Sequence, residues 1–284
     1  HRLIRRQRQM CIRDRINTIR KHLSRLKGGQ LAKLAYPSYL HTLILSDVVG
    51  DRLDTIASGP TVPDYTTFKD CWDIVKKYHL EPHIPPSVVN HFKRGLEGKV
   101  KETPKPGDLA FCKVENLIVG SNILALRAAK QKAESLGYNT FILSSSIEGE
   151  TREVAKVHIA IAKEILSSGN PVSPPACVLS GGETTVKVKG KGKGGRNQEF
   201  CLAACTELEN MEDVFILSAG TDGTDGPTDA AGAFCSFETL SKAKKEGIIP
   251  EKFLDNNDSY NFFKKIGGLF ITGPTNTNVM DLRI

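Results

Sequence analysis

Long hydrophobic runs are absent from this 284-residue sequence, and no stretch approaches the roughly 18 apolar residues of a transmembrane helix. The seven cysteines form no C-x-x-C pair, which argues against a zinc site or a disulfide framework and favours a reducing compartment. The Walker pattern G-x-x-x-x-G-K-S/T is also missing. What remains, with 39% hydrophobic and 25% charged residues, is the composition of a globular protein with a core, long enough for two domains.

Positive charge is concentrated at the start of the chain. Residues 1–15, HRLIRRQRQMCIRDR, hold six arginines and one aspartate, and so supply +5 of the net charge of +7. This composition is typical of a basic tail, a nucleic-acid contact or a transit peptide, although the serine that transit peptides contain is absent. We interpret the segment as non-native or disordered, leave it out of the fold prediction and expect no nucleic-acid partner.

Strands and helices alternate after residue 111. The runs VENLIVG, YNTFILSSS, PACVLSGG and DVFILSAG predict strands, and helical segments lie between them. This alternation predicts an α/β fold with a mostly parallel sheet layered by helices. Before it, apolar residues at 16, 19, 23 and 26 predict one helix face, and the segment 99–110 reads as a linker. We therefore expect one domain at 16–110 and a second at 111–284.

The predicted strands end in small or polar residues. Asp47 follows TLILS, Asn122 follows NLIVGS, Ser180 to Gly182 follow ACVL, and Ser218 to Asp222 follow VFIL. In open parallel sheets, ligands bind beyond the carboxyl ends of the strands. This rim of hydroxyls, glycines and carboxylates is therefore the expected active site.

The stretch SGGETTVKVKGKGKGGRNQEF, residues 180–200, contains four closely spaced glycines followed by Arg196. Four glycines indicate a close approach to the backbone, and the basic residues indicate that the approaching group is an anion. GKGKGG matches the dinucleotide pattern G-x-G-x-x-G, but the alternating strand before it differs from the buried first strand of a Rossmann unit. Backbone N–H groups at a helix start, with Lys191 and Lys193, predict a phosphate site. A flexible hairpin with solvated lysines is the alternative.

A second candidate stretch, GTDGTDGPTDAAGA, places carboxylates at Asp222, Asp225 and Asp229. Their spacing does not match an EF-hand loop. Such carboxylates can hold Mg²⁺ through water or accept a proton from a hydroxyl nucleophile, and ordinary Asp-Gly turns are the alternative. In the earlier stretch SDVVGDRLDTIASGPTVPD, Asp47 is the strongest candidate because it directly follows a predicted strand.

Five stretches together resemble the glycerate kinase class whose C-terminal part is the MOFRL domain. They are INTIRKHLSRLKGG, LILSDVVGDRLDTIASGPTVPD, LSGGETTV…GKGGRNQE, SAGTDGTDGPTDAAGA and TGPTNTNVMDL. The resemblance runs from about Ile16 to the end, and DNNDSYNFF and TNVMD look most similar to animal members. It implies a two-domain α/β kinase that phosphorylates D-glycerate with ATP and Mg²⁺, with 2-phosphoglycerate as the favoured product. Residues 16–110 would then be the remnant of an N-terminal Rossmann-like domain, and about 176–284 the MOFRL region.

The residues and the resemblance together give the candidate site. Its catalytic members are Asp47, Arg196 and Asp222, and the resemblance implies that Arg196 contacts phosphate or the substrate carboxylate. Asp222 and Asp225 are the candidate Mg²⁺ ligands. The candidate substrate- and phosphate-binding residues are Ser58, Gly59, Asn122, Ser180, Gly181, Gly182, Glu183, Lys191, Lys193, Gly194, Gly195, Asn197 and Glu199.

One departure from the family leaves alternatives open. The family's earlier half, with a lysine in a GKA motif and a glycine- and serine-rich loop, has no counterpart here, so we expect an N-terminally truncated chain. A catalytically inactive metabolite-binding fragment is one alternative, and an NAD(P)-dependent oxidoreductase using glycines 190–195 is another. We expect ATP and D-glycerate as the partners, no membrane, a monomer or homodimer, and a cytoplasmic or mitochondrial location.

Overall fold

The helices and strands of the chain form two units. The computed structural model describes residues 14–284. The first unit comprises the chain up to Ile44 together with Asp51–Val119, and the second comprises Leu45–Gly50 together with Gly120–Ile284. The basic segment singled out at residues 1–15 lies outside the described residues, except for its last two, which are helical.

The first unit is mainly helical, with one pair of strands. Two glycines with positive φ, Gly28 (60°) and Gly29 (79°), separate its first two helices. A capping box between Thr67 and Asp70 begins α3. The elements of the unit are α1 (residues 14–23), α2 (Gln30–Ala35), β1 (Leu40–Leu45), α3 (Phe68–Lys77), α4 (Pro86–Leu96) and β2 (Val114–Gly120), with single 3-10 turns at Ile56–Ser58, Glu81–His83 and Leu109–Phe111. The strands β1 and β2 pair in a two-stranded sheet that ends where the second unit begins.

Helix α1 buries only part of the apolar face that its sequence predicts, through Ile19, which packs against the hydrophobic cluster of Phe68, Cys71, Val75 and Phe92. Ile16, Leu23 and Leu26 are 46%, 44% and 52% exposed. The buried side chains of this region are polar instead, and Lys21 forms an ion pair with the buried Asp64 at 3.3 Å. The helix therefore buries polar side chains (Thr18, Lys21 and His22) beside Ile19, and its 3.6-residue periodicity did not indicate these polar contacts.

The segment 99–110 is not a free linker. Thr103 and Ala110 are buried, and the Thr103 hydroxyl donates to Asp64 Oδ2 at 2.9 Å. The backbone N–H of Asp64 donates in turn to the carbonyl of Pro104 at 2.9 Å. The segment is therefore packed within the first unit, which continues to Val119.

The second unit contains a six-stranded sheet with helices. Its elements are α5 (Asn122–Ser135), β3 (Asn139–Glu150), α6 (Thr151–Ser168), β4 (Ala176–Thr185), α7 (Arg196–Cys205), β5 (Phe215–Gly220), β6 (Gly232–Ser236), α8 (Phe237–Lys245), α9 (Pro250–Asp255), α10 (Ser259–Ile266), β7 (Leu269–Phe270) and β8 (Asp281–Arg283). The α/β class predicted from the sequence is confirmed. No helix in the described part of the chain has the length and apolar character needed to cross a bilayer.

The sheet has the order β3-β4-β8-β5-β6-β7 and is mixed, which corrects the prediction of a mostly parallel sheet. Only β3 and β4 are parallel neighbours, and the other pairings are antiparallel. Strand β8 lies between β4 and β5, antiparallel to both. Because β3, β4 and β5 still run in one direction, their carboxyl ends share an edge of the sheet, as the sequence predicted.

Helix α7 lies at the centre of this unit. All its residues after Arg196 are buried, and Phe200 and Leu202 belong to the main hydrophobic core. Cys201, Cys205 and Cys235 are buried free thiols. The burial of a whole helix fixes its first turn, and this turn carries Arg196.

Candidate functional site

Strand β8 brings Asp281 into the middle of the sheet, where the residue is 0% exposed. Its carboxylate accepts two hydrogen bonds from Arg196, from Nε to Oδ2 at 2.8 Å and from Nη2 to Oδ1 at 2.9 Å. Asn197 Nδ2 donates to Oδ1 at 3.0 Å, and Arg283 Nη2 donates to Oδ2 at 3.0 Å. The bidentate pair fixes the plane of the Arg196 guanidinium.

The Arg196 side chain is still 33% exposed, and its Nη1 lies 3.3 Å from Glu183 Oε1. Burial acts against its charge, but the hydrogen bonds and negative charge of Asp281, with the charge of Glu183, raise the pKa of Arg196 above its ordinary value. Arg196 is therefore a permanently charged, oriented group with part of its surface open to solvent.

Arg283 lies on the other side of Asp281 and is 1% exposed. Its Nη2 also donates to Thr184 Oγ1 at 3.2 Å, and its guanidinium lies 5.4 Å from the centre of the Phe200 ring. Nε and Nη1 have no hydrogen-bond partner among the described residues. Burial lowers the pKa of Arg283, and the charge of Asp281 opposes that shift. Asp281 is thus the principal counter-charge of a buried cation.

The start of helix α7 already has an anion of the protein bound to it. The backbone N–H groups of Asn197 and Gln198 donate to the two oxygens of Asp225 at 3.1 and 2.8 Å. The side-chain amides of the same two residues donate to it at 3.3 and 3.0 Å. Burial raises the pKa of Asp225 to about 6, although the backbone hydrogen bonds oppose this. Asp225 therefore caps the helix, and its predicted role as a Mg²⁺ ligand stays a prediction that this geometry does not favour.

The glycine loop before α7 lies against residues 256–259 of the same chain. A Cβ on Gly190 would come within 2.3 Å of the Asn256 carbonyl oxygen, and one on Gly192 within 2.4 Å of Asp258 Cβ. The N–H groups of Lys189 and Gly190 donate to Asn257 Oδ1 at 2.7 and 3.0 Å. The close approach predicted from the glycines is therefore made by the protein itself.

The next N–H groups of the loop are also used. Those of Lys191 and Lys193 donate to the side chains of Asn256 at 3.1 Å and Asp258 at 2.8 Å. The Gly192 N–H donates to the Asn256 carbonyl at 2.8 Å. A phosphate at Lys189–Lys193 would meet lysine side chains rather than a cradle of free backbone N–H groups, and the phosphate role of the loop stays a prediction.

Asp222 follows β5, as the sequence predicted, and is half-buried. Its Oδ1 accepts the Thr224 N–H at 3.0 Å, and its carbonyl accepts the Thr275 N–H at 3.1 Å. Its Oδ2 has no hydrogen-bond partner among residues 14–284. Asp222 thus stabilises its own turn and keeps one oxygen available for a ligand.

Several other predicted site residues have structural partners. Ser180 is buried, and its hydroxyl lies 2.7 Å from His158 Nε2. Asn122 donates to the carbonyls of Val279 and Asp281 at 2.8 and 2.9 Å, and a Cβ on Gly181 would overlap its side chain. These contacts hold the C-terminal segment against the sheet, next to the Asp281 network.

Glu199 has a structural contact as well. Its carboxylate accepts from Arg152 Nε at 2.7 Å and from Asn257 Nδ2 at 3.0 Å. Since Asn257 also accepts the N–H groups of the glycine loop, Glu199 connects helix α7 to that loop. Its predicted substrate contact stays a prediction.

Asp47, Ser58 and Gly59 lie apart from these networks in sequence. Asp47 belongs to the second unit, is exposed, and forms no hydrogen bond or ion pair with any described residue. Ser58 and Gly59 belong to the first unit, where the Ser58 hydroxyl donates to Asn17 Oδ1 at 3.0 Å. Their roles as catalytic or binding residues stay predictions.

Sequence reasoning missed Asp281 and Arg283 as site residues. Both lie in a three-residue strand, which is too short to show a period of two. The sequence signal that includes Asp281 is the resemblance of the segment TGPTNTNVMDL to the glycerate kinase class. The register of β8, with Asp281 opposite Gly182 and Gly220, places it at the polar strand ends that the sequence did identify.

Comparison with known families and proteins agrees with the resemblance seen in the motifs. The MOFRL family matches residues 176–281, and a domain of unknown function, DUF4147, matches residues 9–93. The second match begins within the segment 1–15 that its charge had set apart. The MOFRL match includes the glycine loop and the strand ends at Ser180 to Gly182 and Ser218 to Asp222.

Two curated relatives and one crystal structure extend this comparison. The chain is 45% identical to D-glycerate 2-kinase of Thermotoga maritima, covering 95% of this chain and 62% of the relative. A crystal structure of a glycerate kinase from that organism superposes with a TM-score of 0.88, again over 95% of this chain and 62% of that one. This chain thus spans about three-fifths of the length of these proteins.

The glycerate kinase of Macaca fascicularis is 39% identical over 95% of this chain, and the alignment covers 77% of that relative. The similarity therefore includes bacterial and animal members and extends over nearly all of the sequence. The chain belongs to the glycerate kinase family.

Proposed function

We propose that this chain takes part in the ATP-dependent phosphorylation of D-glycerate and that the product is 2-phosphoglycerate. The observation that carries the proposal is the 45% identity, over 95% of the chain, to the Thermotoga protein named D-glycerate 2-kinase. The six described cysteines are free thiols, which supports a reducing compartment such as the cytoplasm or the mitochondrion.

Arg196 supports the proposal at the level of side chains. Phosphoryl transfer needs positioning and neutralisation of the charge on the transferred group, and a planar guanidinium suits phosphate and carboxylate oxygens. Asp281 holds Arg196 by two hydrogen bonds, while one-third of the side chain stays exposed. We propose that this exposed part contacts the transferred phosphate or the glycerate carboxylate.

Lys191 and Lys193 would add positive charge beside Arg196 in sequence. The Lys193 ammonium lies 4.3 Å from the centre of the Tyr260 ring, which restricts its position. Since the loop backbone is bound to residues 256–259, these lysines would contribute through their ammonium groups. Phosphate binding here would then depend strongly on salt.

Mg²⁺, when bound with ATP, neutralises phosphate charge and aligns the reacting oxygens. It usually keeps several waters and binds one or two carboxylates together with substrate phosphates. Asp222 suits such a role because its Oδ2 is available. Asp225 does not, because both its oxygens accept N–H groups. No cluster of three candidate metal-ligating side chains occurs within residues 14–284, and a Mg²⁺ ion shared with ATP does not require one.

The oxidoreductase alternative loses support in this geometry. A dinucleotide would place its pyrophosphate on free N–H groups of the glycine loop and helix start. In this chain Asn256, Asn257 and Asp258 accept the N–H groups of Lys189 to Lys193, and Asp225 accepts those of Asn197 and Gln198. The NADPH titration below therefore serves as the direct comparison.

The experiment combines binding with turnover. The 284-residue chain is titrated calorimetrically with Mg-ATP and with NADPH, then incubated with Mg-ATP and D-glycerate while phosphorus NMR separates the two possible phosphoglycerates. We expect Mg-ATP-dependent formation of 2-phosphoglycerate. Arg196→Ala should lower kcat/KM by a factor equivalent to about 2–4 kcal/mol, or roughly 30- to 900-fold, as loss of a charged clamp does.

Arg94→Ala is the matched control because Arg94 is exposed on α4 and has no ion pair with a described residue. If kcat/KM is unchanged in Arg196→Ala, Arg196 does not contact the reacting groups as proposed. Mg-ATP binding without turnover would support the inactive binding fragment instead. Saturable NADPH binding without Mg-ATP binding would support the oxidoreductase.

A further inference from the structure

The first unit contains a cavity of about 400 Å³ that has no part in the proposed function. It lies where the end of α1, helix α2, the start of α3, helix α4 and the segment 100–103 meet. This volume is within the range of about 300–1,000 Å³ that small-molecule sites occupy. All its lining residues belong to the first unit, whereas Arg196 and the glycine loop belong to the second.

The charged side chains of the cavity lining are all basic. Arg25, Lys33 and Lys101 line it, and none of the described lining residues is acidic. Arg25 and Lys101 are exposed and form no hydrogen bond or ion pair with any described residue. Lys33 has only a distant contact with Asp108, at 3.9 Å, with the lysine side chain 44% exposed. Three cations around one concave surface, without a lining counter-charge, attract anions.

A buried histidine forms part of the wall. The His22 side chain is 0% exposed. Its Nδ1 lies 2.9 Å from the carbonyl oxygen of Thr18, and its Nε2 lies 3.2 Å from Glu102 Oε2. These two contacts fix the orientation of the imidazole ring. Glu102 does not line the cavity, and its second oxygen accepts the Phe68 N–H at 2.9 Å.

Part of the remaining lining is apolar (Leu23, Leu34, Phe68 and Val100), beside the polar Ser24, Gln30, His91 and Thr103. The Phe68 ring meets the imidazoles of His22 and His91 edge to face, with ring centres 4.8 and 5.4 Å apart. His91 Nε2 lies 2.9 Å from the His22 carbonyl oxygen, to which it donates. Leu23 and Leu34 extend this apolar part of the lining. The cavity thus joins a partly apolar wall to three cations, of which Arg25 and Lys101 have no partner among the described residues.

We propose that this cavity binds a phosphorylated small organic molecule. Its phosphate contacts Arg25, Lys33 and Lys101, and its uncharged part packs against the apolar wall. A phosphate dianion matches several converging cations better than a single carboxylate does, and arginine can bind it through two parallel hydrogen bonds.

AMP is the probe, and adenosine is its matched uncharged counterpart. Calorimetric titration of the full 284-residue chain should give saturable AMP binding that weakens with salt, much weaker adenosine binding, and inorganic phosphate binding weaker than that of AMP. The double variant Arg25→Ala/Lys101→Ala should weaken AMP binding by about tenfold or more, because two charged contacts are removed. Arg94→Ala, which removes an exposed arginine of the same unit, should leave the affinity unchanged.

Three results would overturn the proposal. They are no AMP binding at millimolar concentration, equal binding of AMP and adenosine, and AMP binding that the double variant leaves intact. AMP binding that Arg196→Ala abolishes while the double variant retains it would place the nucleotide in the second unit. A melting curve for each variant confirms folding, which we expect to be unaffected because Arg25 and Lys101 have no partners among the described residues.

Discussion

Replacement of Asp281 by asparagine tests the network at the centre of the second unit. The substitution keeps the size of the side chain and removes its charge. In the folded chain, Asp281 accepts hydrogen bonds from Arg196, Asn197 and Arg283, and it is the direct ionic partner of the 1%-exposed Arg283. Removing one partner of a buried ion pair leaves an uncompensated charge and costs about 3–5 kcal/mol. We expect Asp281→Asn to lose that amount of unfolding free energy.

A double-mutant cycle separates the buried charge from the loss of ordinary contacts. Arg283→Met removes the cation and keeps an apolar side chain against Phe200. If Asp281→Asn destabilises the protein because it leaves the buried Arg283 without a counter-charge, the two substitutions will not be additive. The double variant will then lose about 1–3 kcal/mol less unfolding free energy than the sum of the two single losses. Urea unfolding followed by circular dichroism gives each free energy.

Additive effects, to within about 0.5 kcal/mol, would refute this reasoning, because independent sites behave in that way. Asp213→Asn is the control, since Asp213 is exposed and unpaired among the described residues. We expect it to change stability by less than about 0.5 kcal/mol. If Asp281→Asn does not fold by itself, its effect is still measured in the Arg283→Met background.

Two further predictions concern the start of helix α7. Gly192→Ala should lower the free energy of unfolding by about 1–3 kcal/mol, because its Cβ would come within 2.6 Å of the Asn256 carbonyl oxygen. An unchanged melting temperature would contradict this prediction. Asp225 binds its proton more tightly in the folded chain, where burial raises its pKa to about 6, than in the unfolded chain. The protonated Asp225 therefore stabilises the folded chain below about pH 4, and this stabilisation is lost as the pH rises to about 6. Across that range, the unfolding free energy of the wild type should fall by up to about 3 kcal/mol relative to that of Asp225→Asn. Denaturant unfolding at pH 4 to 7 measures the difference, and a constant difference would contradict the prediction.

The α/β class was readable from the sequence, while the direction of the strands was not. Helices α5 and α6 and strands β2 to β4 have apolar runs or helical spacing that tertiary contacts reinforce. Strand β8 has only three residues, and its partners lie about a hundred positions earlier on β4 and about 65 earlier on β5. The local sequence pattern therefore could not predict that β8 lies between β4 and β5, antiparallel to both, which makes the sheet mixed.

The glycine loop shows the same limit at the level of the site. The sequence correctly indicated a group close to its backbone, because glycine is favoured where another backbone approaches. It could not identify that group as the segment 256–259, which lies some 65 residues away. At the helix start, the sequence predicted a phosphate site, and the N–H groups of Asn197 and Gln198 instead donate to the carboxylate of Asp225.

These contacts determine which groups remain for a phosphate in the proposed reaction. The backbone N–H groups of Lys189 to Lys193, and those of Asn197 and Gln198 in the first turn of α7, are paired inside the protein. An anion beside these groups is therefore met by side-chain cations, and Asp281 holds Arg196 in a fixed direction among them. Asp281 thus has a dual role, because the carboxylate that compensates the buried Arg283 also orients Arg196. Stability of the sheet and orientation of the proposed phosphate ligand are consequently coupled through one residue of a three-residue strand.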